Sequence, residues 1–450
     1  MATIMRLKLT ELEETDKPIK AGIIGAGFFG VSVMRQVTKI PGIDISIVAD
    51  LVKEKAIQGY VTAGHKPNEI AEVKDVDAAN HFIEKRVPIV TGDSQVLIES
   101  DVDVVLEATG SEEAGARHAY HAIKNKKHVV MATVEAEVVV GPLLAKMAEE
   151  EGVVYSMAYG DQPAVIVELY DWAISSGFRV VAAGEGTAAR LEWRHLTPDD
   201  ALPRFGWTRE EIERLRPNSK MFNSFIDTTK CAVEMTAVCN ATGLKPDIRG
   251  MHFPSVPKKE MAKVLSLKKD GGILESEGVT EVIPWDNLDG RRIEDNIRWG
   301  VFVVVTSEDR EVMNILRSYG GSMGGNNALI FRPYHLAGLE ASISLIRAAL
   351  FEQPTGAPLP RKPVAEVITA AKKDLKPGDV LDGSGGYAVY GLAEEADIAK
   401  KENLLPLGFA DGIQVIREIS RDKVITYDDV KLNKESFLSK LRQMQDATFH

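Results

Sequence analysis

The sequence predicts an α/β protein: a doubly wound parallel sheet first, an α+β domain second, and a small β-rich domain at the C-terminus. Three observations predict it. Lys20 to Asp50 joins an apolar strand, a glycine loop, a helix, a second strand and a terminal acid without a break. From 102 to 157, short apolar strands alternate with helical stretches, the rhythm of a parallel sheet covered on both faces. Near 160 that rhythm stops, and at 450 residues the chain is too long for one core, so two or three domains follow.

The glycine loop is the most informative stretch. Ala21 to Ile24 reads as a buried strand and runs directly into Gly25-Ala26-Gly27-Phe28-Phe29-Gly30. A helix follows, with Val31, Val33, Met34 and Val37 on its apolar side, and a strand from Ile43 to Ala49 ends in Asp50. Gly25 makes the tight turn, Gly27 lets a pyrophosphate approach the backbone, and Gly30 lets helix and strand pack closely. The free N–H groups of the helix N-terminus, with Phe28 and Phe29 among its residues, face the phosphates. Asp50 accepts hydrogen bonds from an adenosine ribose. The stretch therefore predicts a Rossmann dinucleotide site.

In chain order, residues 1–18 form a leading helix or arm, Val52 to Gly64 a helix, and 65–90 a polar stretch. A strand at Val102–Ala108, a helix at Glu112–Lys124, a strand at His128–Met131, a helix at Pro142–Glu151 and a strand at Val153–Met157 complete the first domain, 1–160. Ligands sit beyond the carboxyl ends of such strands. Ala108, Thr109 and Gly110 then line the nicotinamide side of the crevice. Glu135 and Asp161, at later strand ends, are candidates for catalysis or for capping a helix.

The second domain is expected over 161–352. It begins with a helix from Gln162 to Ser176 and a strand from Phe178 to Ala183, followed by Gly184-Glu185-Gly186-Thr187. The charged region 190–218 reads as a lid. A single helix is predicted from Lys220 to Ala241, where a period of about 100° per residue puts Asn223, Asp227, Lys230 and Glu234 on one stripe. That stripe is either a solvated face with an i, i+4 ion pair or a catalytic face. On the second reading Lys230 is the proton donor or oxyanion partner, and Asp227 and Glu234 set its pKa or meet a metal. Strands at Gly278–Pro284 and Ile297–Thr306 suit the sheet of a substrate and dimerisation domain. The glycine-dense loop Tyr319–Asn327 is a flexible or phosphate-binding loop. A helix from His335 to Phe351 starts beside Arg332 and His335, which are candidate anion contacts. Residues 353–363, with four prolines, form a linker, and 364–450 a β-rich domain with a terminal helix.

Composition narrows the function. A net charge of −12 argues against nonspecific nucleic-acid or anionic-membrane binding. The two cysteines, Cys231 and Cys239, make neither a disulfide framework nor a zinc site, and no apolar run reaches transmembrane length. A cytoplasmic enzyme with a small-molecule substrate is the expectation.

Several of these stretches together resemble one family. They are the glycine loop, Lys127–Met131 with Val134-Glu135-Ala136, Tyr159–Pro163, Met221–Phe225 with Asp227, Thr229 and Lys230, and Arg332–Leu336. The family is the homoserine-dehydrogenase-like oxidoreductases with a C-terminal SAF domain, whose turn Lys376–Leu381 resembles. The resemblance implies 1-deoxy-D-xylulose 5-phosphate reductoisomerase-like chemistry: an isomerising reduction by NADP or NAD, with Mg2+ or Mn2+ as an expected cation. It implies Glu135 and Asp161 for metal or proton transfer, Lys230 for the oxyanion, and Asn223 and Ser224 to orient hydroxyls or phosphate. A homo-oligomer is expected on the same ground.

Two departures stand against a simple transfer. Relatives tend to carry Gly-Lys-Gly-Thr-Lys where this chain has Gly184-Glu185-Gly186-Thr187-Ala188, and Glu135 replaces the lysine of true homoserine dehydrogenases. A dehydrogenase or oxidoisomerase of another sugar phosphate or sugar acid, and a non-catalytic dinucleotide-binding protein, are the alternatives. For the cofactor, Asp50 favours NAD, while Lys53, Lys55 and the resemblance favour NADP, toward which the balance leans.

Overall fold

The computed structural model describes residues 2–215, 217–287 and 289–449; Met1, Arg216 in the lid region, Leu288 and His450 lie outside the described residues. The chain forms two compact units, one of residues 1–165, 336–362 and 440–450, the other of 166–335 and 363–439.

The first unit holds a seven-stranded parallel sheet. Its strands are β1 (Ile19–Ile24), β2 (Ile43–Ala49), β3 (Ala71–Glu72), β4 (Ile89–Thr91), β5 (Val104–Glu107), β6 (His128–Met131) and β7 (Tyr155–Met157), in the order β3-β4-β2-β1-β5-β6-β7. The apolar runs read as strands are buried along almost their whole length, as parallel strands covered on both faces must be. Register puts Ile24 beside both Ala49 and Glu107, so Asp50, Gly25 and Ala108 leave the sheet side by side at its carboxyl edge.

Three expectations in this unit are corrected. The polar stretch 65–90 contains β3, β4 and a helix, Val76–Glu84, capped by the Asp75 carboxylate on the Ala78 N–H at 2.8 Å. These pieces are too short for their periodicity to stand out. The helix expected from Pro142 begins at Val134 and carries Pro142 inside it, so Glu135 lies in a first helical turn rather than in a loop. The proline-rich 353–363 is docked over part of its length: Met157 N–H donates to Gly356 O at 2.7 Å, and Thr355 N–H to Ser156 Oγ at 3.0 Å. The last helix, Phe437–Thr448, ends in this unit, where buried Gln445 bonds both the Val139 carbonyl and the Leu143 N–H.

The second unit is built on a mixed sheet of β8 (Arg179–Thr187), β9 (Lys245–Pro246), β10 (Val279–Pro284), β11 (Val301–Thr306), β12 (Ser322–Gly324) and β13 (Asn327–Arg332), in the order β12-β13-β11-β8-β10-β9. The strand expected to end at Ala183 runs on through Gly184 to Thr187. The reason is spatial: a Cβ on Gly184 would stand 1.6 Å from the Glu281 carbonyl oxygen, and one on Gly186 would stand 2.2 Å from that of Ile297. The glycines admit close backbone neighbours, and Glu185 and Thr187 take the other face. The glycine-dense 319–327 is largely the hairpin of β12 and β13, turned at Gly325 with φ 64°. The helix expected from His335 starts at Ser342.

The single helix expected over 220–241 is two: Ser219–Ser224 and Thr229–Thr242. The break falls at Thr228, whose φ of 74° is left-handed, and Asp227 caps the second helix by accepting the Thr229 N–H at 3.0 Å. Five C-terminal strands complete the unit: β14 (Ala365–Ala371), β15 (Val380–Asp382), β16 (Val389–Glu395), β17 (Asp411–Val415) and β18 (Val430–Lys431). β14 and β16 pair with each other and lie against helix Thr229–Thr242; Gly391 N–H donates to Thr229 Oγ1 at 3.0 Å, and Asn240 Oδ1 accepts from Val364 and Ala365.

Candidate functional site

In the first unit the nucleotide site is built from backbone. Gly25, at φ 103°, sits where a Cβ would be 2.5 Å from the Ala108 carbonyl oxygen, and a Cβ on Gly30 would be 2.2 Å from that of Gly25. Nothing lies within 4 Å of a Cβ on Gly27, so that position opens onto the space a pyrophosphate needs. The helix already starts at Phe28, inside the motif, and Phe28 is 85% exposed. Asp50 braces the loop: one carboxylate oxygen accepts from Ala26 N–H at 2.8 Å and the other from Val52 N–H at 2.8 Å. Lys53, weighed as a cation for a 2′-phosphate, is ion-paired with Glu72. Lys55 is exposed.

Beyond β5, Thr109 Oγ1 donates to the buried Glu107 carboxylate at 2.5 Å, and Gly110 N–H donates to Thr133 Oγ1 at 3.0 Å. Ala108, Thr109 and Gly110 are thus held at the strand end where the motif requires them. Glu135 and Asp161 are both half-buried at this edge. The residue not foreseen is Glu137, one turn of side chain further. It is 1% exposed, and neither of its carboxyl oxygens has a hydrogen-bond partner among the described residues. Burial, with the charge of Asp161 added, pushes its pKa up to about 8, so Glu137 is a neutral acid near pH 7. An acid inside the apolar run Val134–Val140 was the signal available for it.

In the second unit, Asp227, which is bonded to Asn223 and Thr229, meets Lys372, which no sequence pattern had singled out. Lys372 Nζ has three acceptors: Asp227 Oδ2 at 2.6 Å, Gly386 O at 2.7 Å and Leu196 O at 2.8 Å. Three donors and three acceptors satisfy the ammonium completely. Asn223 Nδ2 donates to Leu196 O and Gly385 O, and the Ser224 hydroxyl donates to the Met221 carbonyl at 2.7 Å. Asp227 and Asn223 therefore tie the helix break to two neighbouring loops. Lys230 and Glu234 form an ion pair at 3.6 Å, with side chains 17% and 2% exposed. Glu185 and Thr187 of β8 join them through Cys231: Thr187 Oγ1 is 3.0 Å from its sulfur, and burial and the Glu185 charge raise its thiol pKa. Arg332 stacks over Tyr334 and lies 3.9 Å from Glu168, and His335 Nδ1 is 3.0 Å from the Trp299 carbonyl oxygen.

Among the described residues, no three His, Cys, Asp or Glu side chains converge into a metal-ligand set. Glu135 and Asp161 do not make such a set of their own. No helix among the described residues is long and apolar enough to cross a membrane.

The comparisons with known proteins agree with the nucleotide site. Residues 25–157 match the family described as the homoserine dehydrogenase NAD-binding domain, and residues 160–341 match the catalytic domain of oxidoreductase DRL. Nothing matches among the curated proteins. Among solved structures, the chain is similar to a probable dehydrogenase from Thermotoga maritima, at 13% identity over 75% of this chain and 90% of that one, with a TM-score of 0.38. It is also similar to GenD2 from gentamicin A biosynthesis, solved with NAD, at 12% identity over 75% and 88% of the two chains, with a TM-score of 0.37. The chain thus carries, one after the other, a homoserine-dehydrogenase-like NAD-binding domain and the catalytic domain of an oxidoreductase.

Proposed function

We propose that this NAD(P)-dependent oxidoreductase carries out an isomerising reduction of a ketose phosphate, with conversion of 1-deoxy-D-xylulose 5-phosphate to 2-C-methyl-D-erythritol 4-phosphate as the reaction to test. The observation that carries the reading is the oxidoreductase catalytic domain matched over 160–341. The Lys230–Glu234 pair supports it, because a lysine held by a buried carboxylate is a suitable partner for an oxygen gaining negative charge. The bound nicotinamide supplies the hydride. The chain's residues hold the substrate and move protons. Of the two cofactors we propose NAD, because Asp50 stands at the end of β2, where the motif puts the ribose, and Glu72 draws Lys53 away from a 2′-phosphate.

A second reading is favoured by one observation. Glu185 is 2% exposed in β8, and a buried carboxylate repels a phosphate. On that reading the enzyme oxidises an unphosphorylated sugar acid.

The test is oxidation of NADH and of NADPH with 1-deoxy-D-xylulose 5-phosphate, with Mg2+ or Mn2+ and again after chelation. Turnover with NADH ahead of NADPH is expected, and Lys230→Ala should lower kcat by about 10²- to 10⁴-fold while leaving cofactor Kd unchanged. Absence of turnover with cofactor bound would discard the reductoisomerase reading in favour of sugar acids assayed in the oxidative direction. Turnover unchanged in Lys230→Ala would remove Lys230 from the site.

A further inference from the structure

The second unit contains a cavity of about 700 Å³ that the sequence did not suggest. It opens beyond the carboxyl ends of the parallel strands β8 and β10, where loops after Thr187 and Pro284 meet residues 252–255. Its charged and amide lining is Arg190, Glu192, His252, Asn287, Asp289 and Arg291. The charges are matched in pairs: Arg190 with Glu192 at 3.5 Å, and Arg291 with Asp289 at 2.6 Å. A wall of paired donors and acceptors suits hydroxyl groups better than net charge.

His252 is set into this wall with unusual care. Its Nδ1 is 2.8 Å from Glu281 Oε1, and Glu281 is fully buried in β10. The same carboxylate accepts the backbone N–H of His252 at 2.8 Å and of Phe253 at 3.3 Å. The residues on either side, Met251 and Phe253, are held at φ 62° and 54°, in the left-handed region that bulky side chains avoid. Both are buried. Such backbone persists only where the surroundings over-determine it, and it clusters at functional sites. The groups that face the ring are Glu281 from β10, Asp247 from the preceding loop with Oδ2 3.6 Å from Nε2, and Lys268 at longer range. Across the cavity stand Arg190, Glu192, Asp289 and Arg291. The hydrogen bond to Glu281 raises the His252 pKa above its ordinary value.

We propose that this cavity binds a polyhydroxylated substrate and that His252 is its proton donor, with Glu281 as the positioning residue. With Nδ1 fixed on Glu281, Nε2 carries the proton to be given. Asp247, its side chain wholly buried with Oδ2 3.6 Å from Nε2, pairs with the ring as a second carboxylate. In the step, the Nε2–H bond breaks and an O–H bond forms on the substrate oxygen gaining negative charge; solvent then restores the imidazole proton. The inference rests on the oxidoreductase reading for its turnover assay but not for its binding assay.

The experiment uses the full chain and two variants, His252→Gln and Glu281→Gln, each checked for an unchanged melting curve and cofactor Kd. With 1-deoxy-D-xylulose 5-phosphate, His252→Gln should lower kcat by about 10²- to 10⁴-fold. Glu281→Gln should retain turnover but move the alkaline limb of the kcat profile to lower pH, because the ring loses the carboxylate that holds its proton. Independently of turnover, the His252 ring resonance in proton NMR, identified by its loss in His252→Gln, should shift on addition of 1-deoxy-D-xylulose 5-phosphate or xylitol. A shift without turnover would retain the cavity and discard the reductoisomerase reading. A folded His252→Gln with wild-type kcat, a pH profile unmoved by Glu281→Gln, or a resonance stationary with both probes would overturn the proposal.

Discussion

Glu137 concentrates the electrostatics of the first unit in one side chain. A carboxyl that is 1% exposed and has no hydrogen-bond partner among the described residues is penalised by desolvation far more when ionised than when neutral, so the folded protein keeps it protonated up to a pKa of about 8. The unfolded chain releases that proton near pH 4.3. Between these values the native state binds more protons than the unfolded state, and stability falls as pH rises. The contribution is fully present below the unfolded pKa and is lost as pH passes through the folded one. Glu137→Gln removes the titration and keeps the shape. Its stability relative to wild type is expected to rise by about 1 kcal/mol per pH unit from about pH 5 to 8, then level off. Urea melts at four pH values would show this, and parallel curves would mean that Glu137 is ionised when folded.

At the scale of the element, the strand–glycine–helix unit separates two roles that one motif combines. Gly30 is a packing glycine, with a carbonyl oxygen 2.2 Å from where its Cβ would be. Gly27 is a ligand glycine: nothing meets its Cβ, and its φ of −81° is open to any residue. Gly27→Ala should therefore keep the wild-type melting temperature while NADH affinity falls by tenfold or more. Gly30→Ala should lose about 2 kcal/mol or more of stability through overpacking. Calorimetry of melting and of NADH binding would test both. A Gly27→Ala protein that binds NADH normally would place the pyrophosphate elsewhere. The broken helix at 225–228 makes a related point. Its periodicity suggested one stripe of four polar residues, yet the left-handed turn at Thr228 divides them, giving Asp227 to Lys372 and Lys230 to Glu234.

At the scale of the whole molecule, the C-terminal strands are part of the second unit's core rather than an addition to it. Lys372, the residue after β14, is 2.6 Å from Asp227, and both side chains are almost wholly buried. Removing one partner of a buried pair leaves an uncompensated charge at a cost of about 3–5 kcal/mol. Lys372→Met should destabilise the second unit by that amount, and adding Asp227→Asn should restore most of it. Chemical denaturation followed by the five tryptophans, all of which lie among residues 166–335, would measure the effect. If the double variant is no better than the single, the pair is not the coupling element.

The sequence by itself determined the α/β class, the dinucleotide loop with Asp50, and the strand end that carries Ala108, Thr109 and Gly110. These are local features: strand, glycine turn, helix N-terminus and acid follow one another along some thirty residues, and their spacing carries the chemistry. Only the tertiary structure decided that Glu137 is a neutral acid, that Lys53 is drawn to Glu72, that Lys372 completes Asp227, and that His252 stands on Glu281 over a cavity. Those outcomes depend on desolvation and on partners far apart in the chain, such as Asp227 with Lys372 and His252 with Glu281. Periodicity reports which face a residue occupies in an unbroken element; it does not report what is folded against that face.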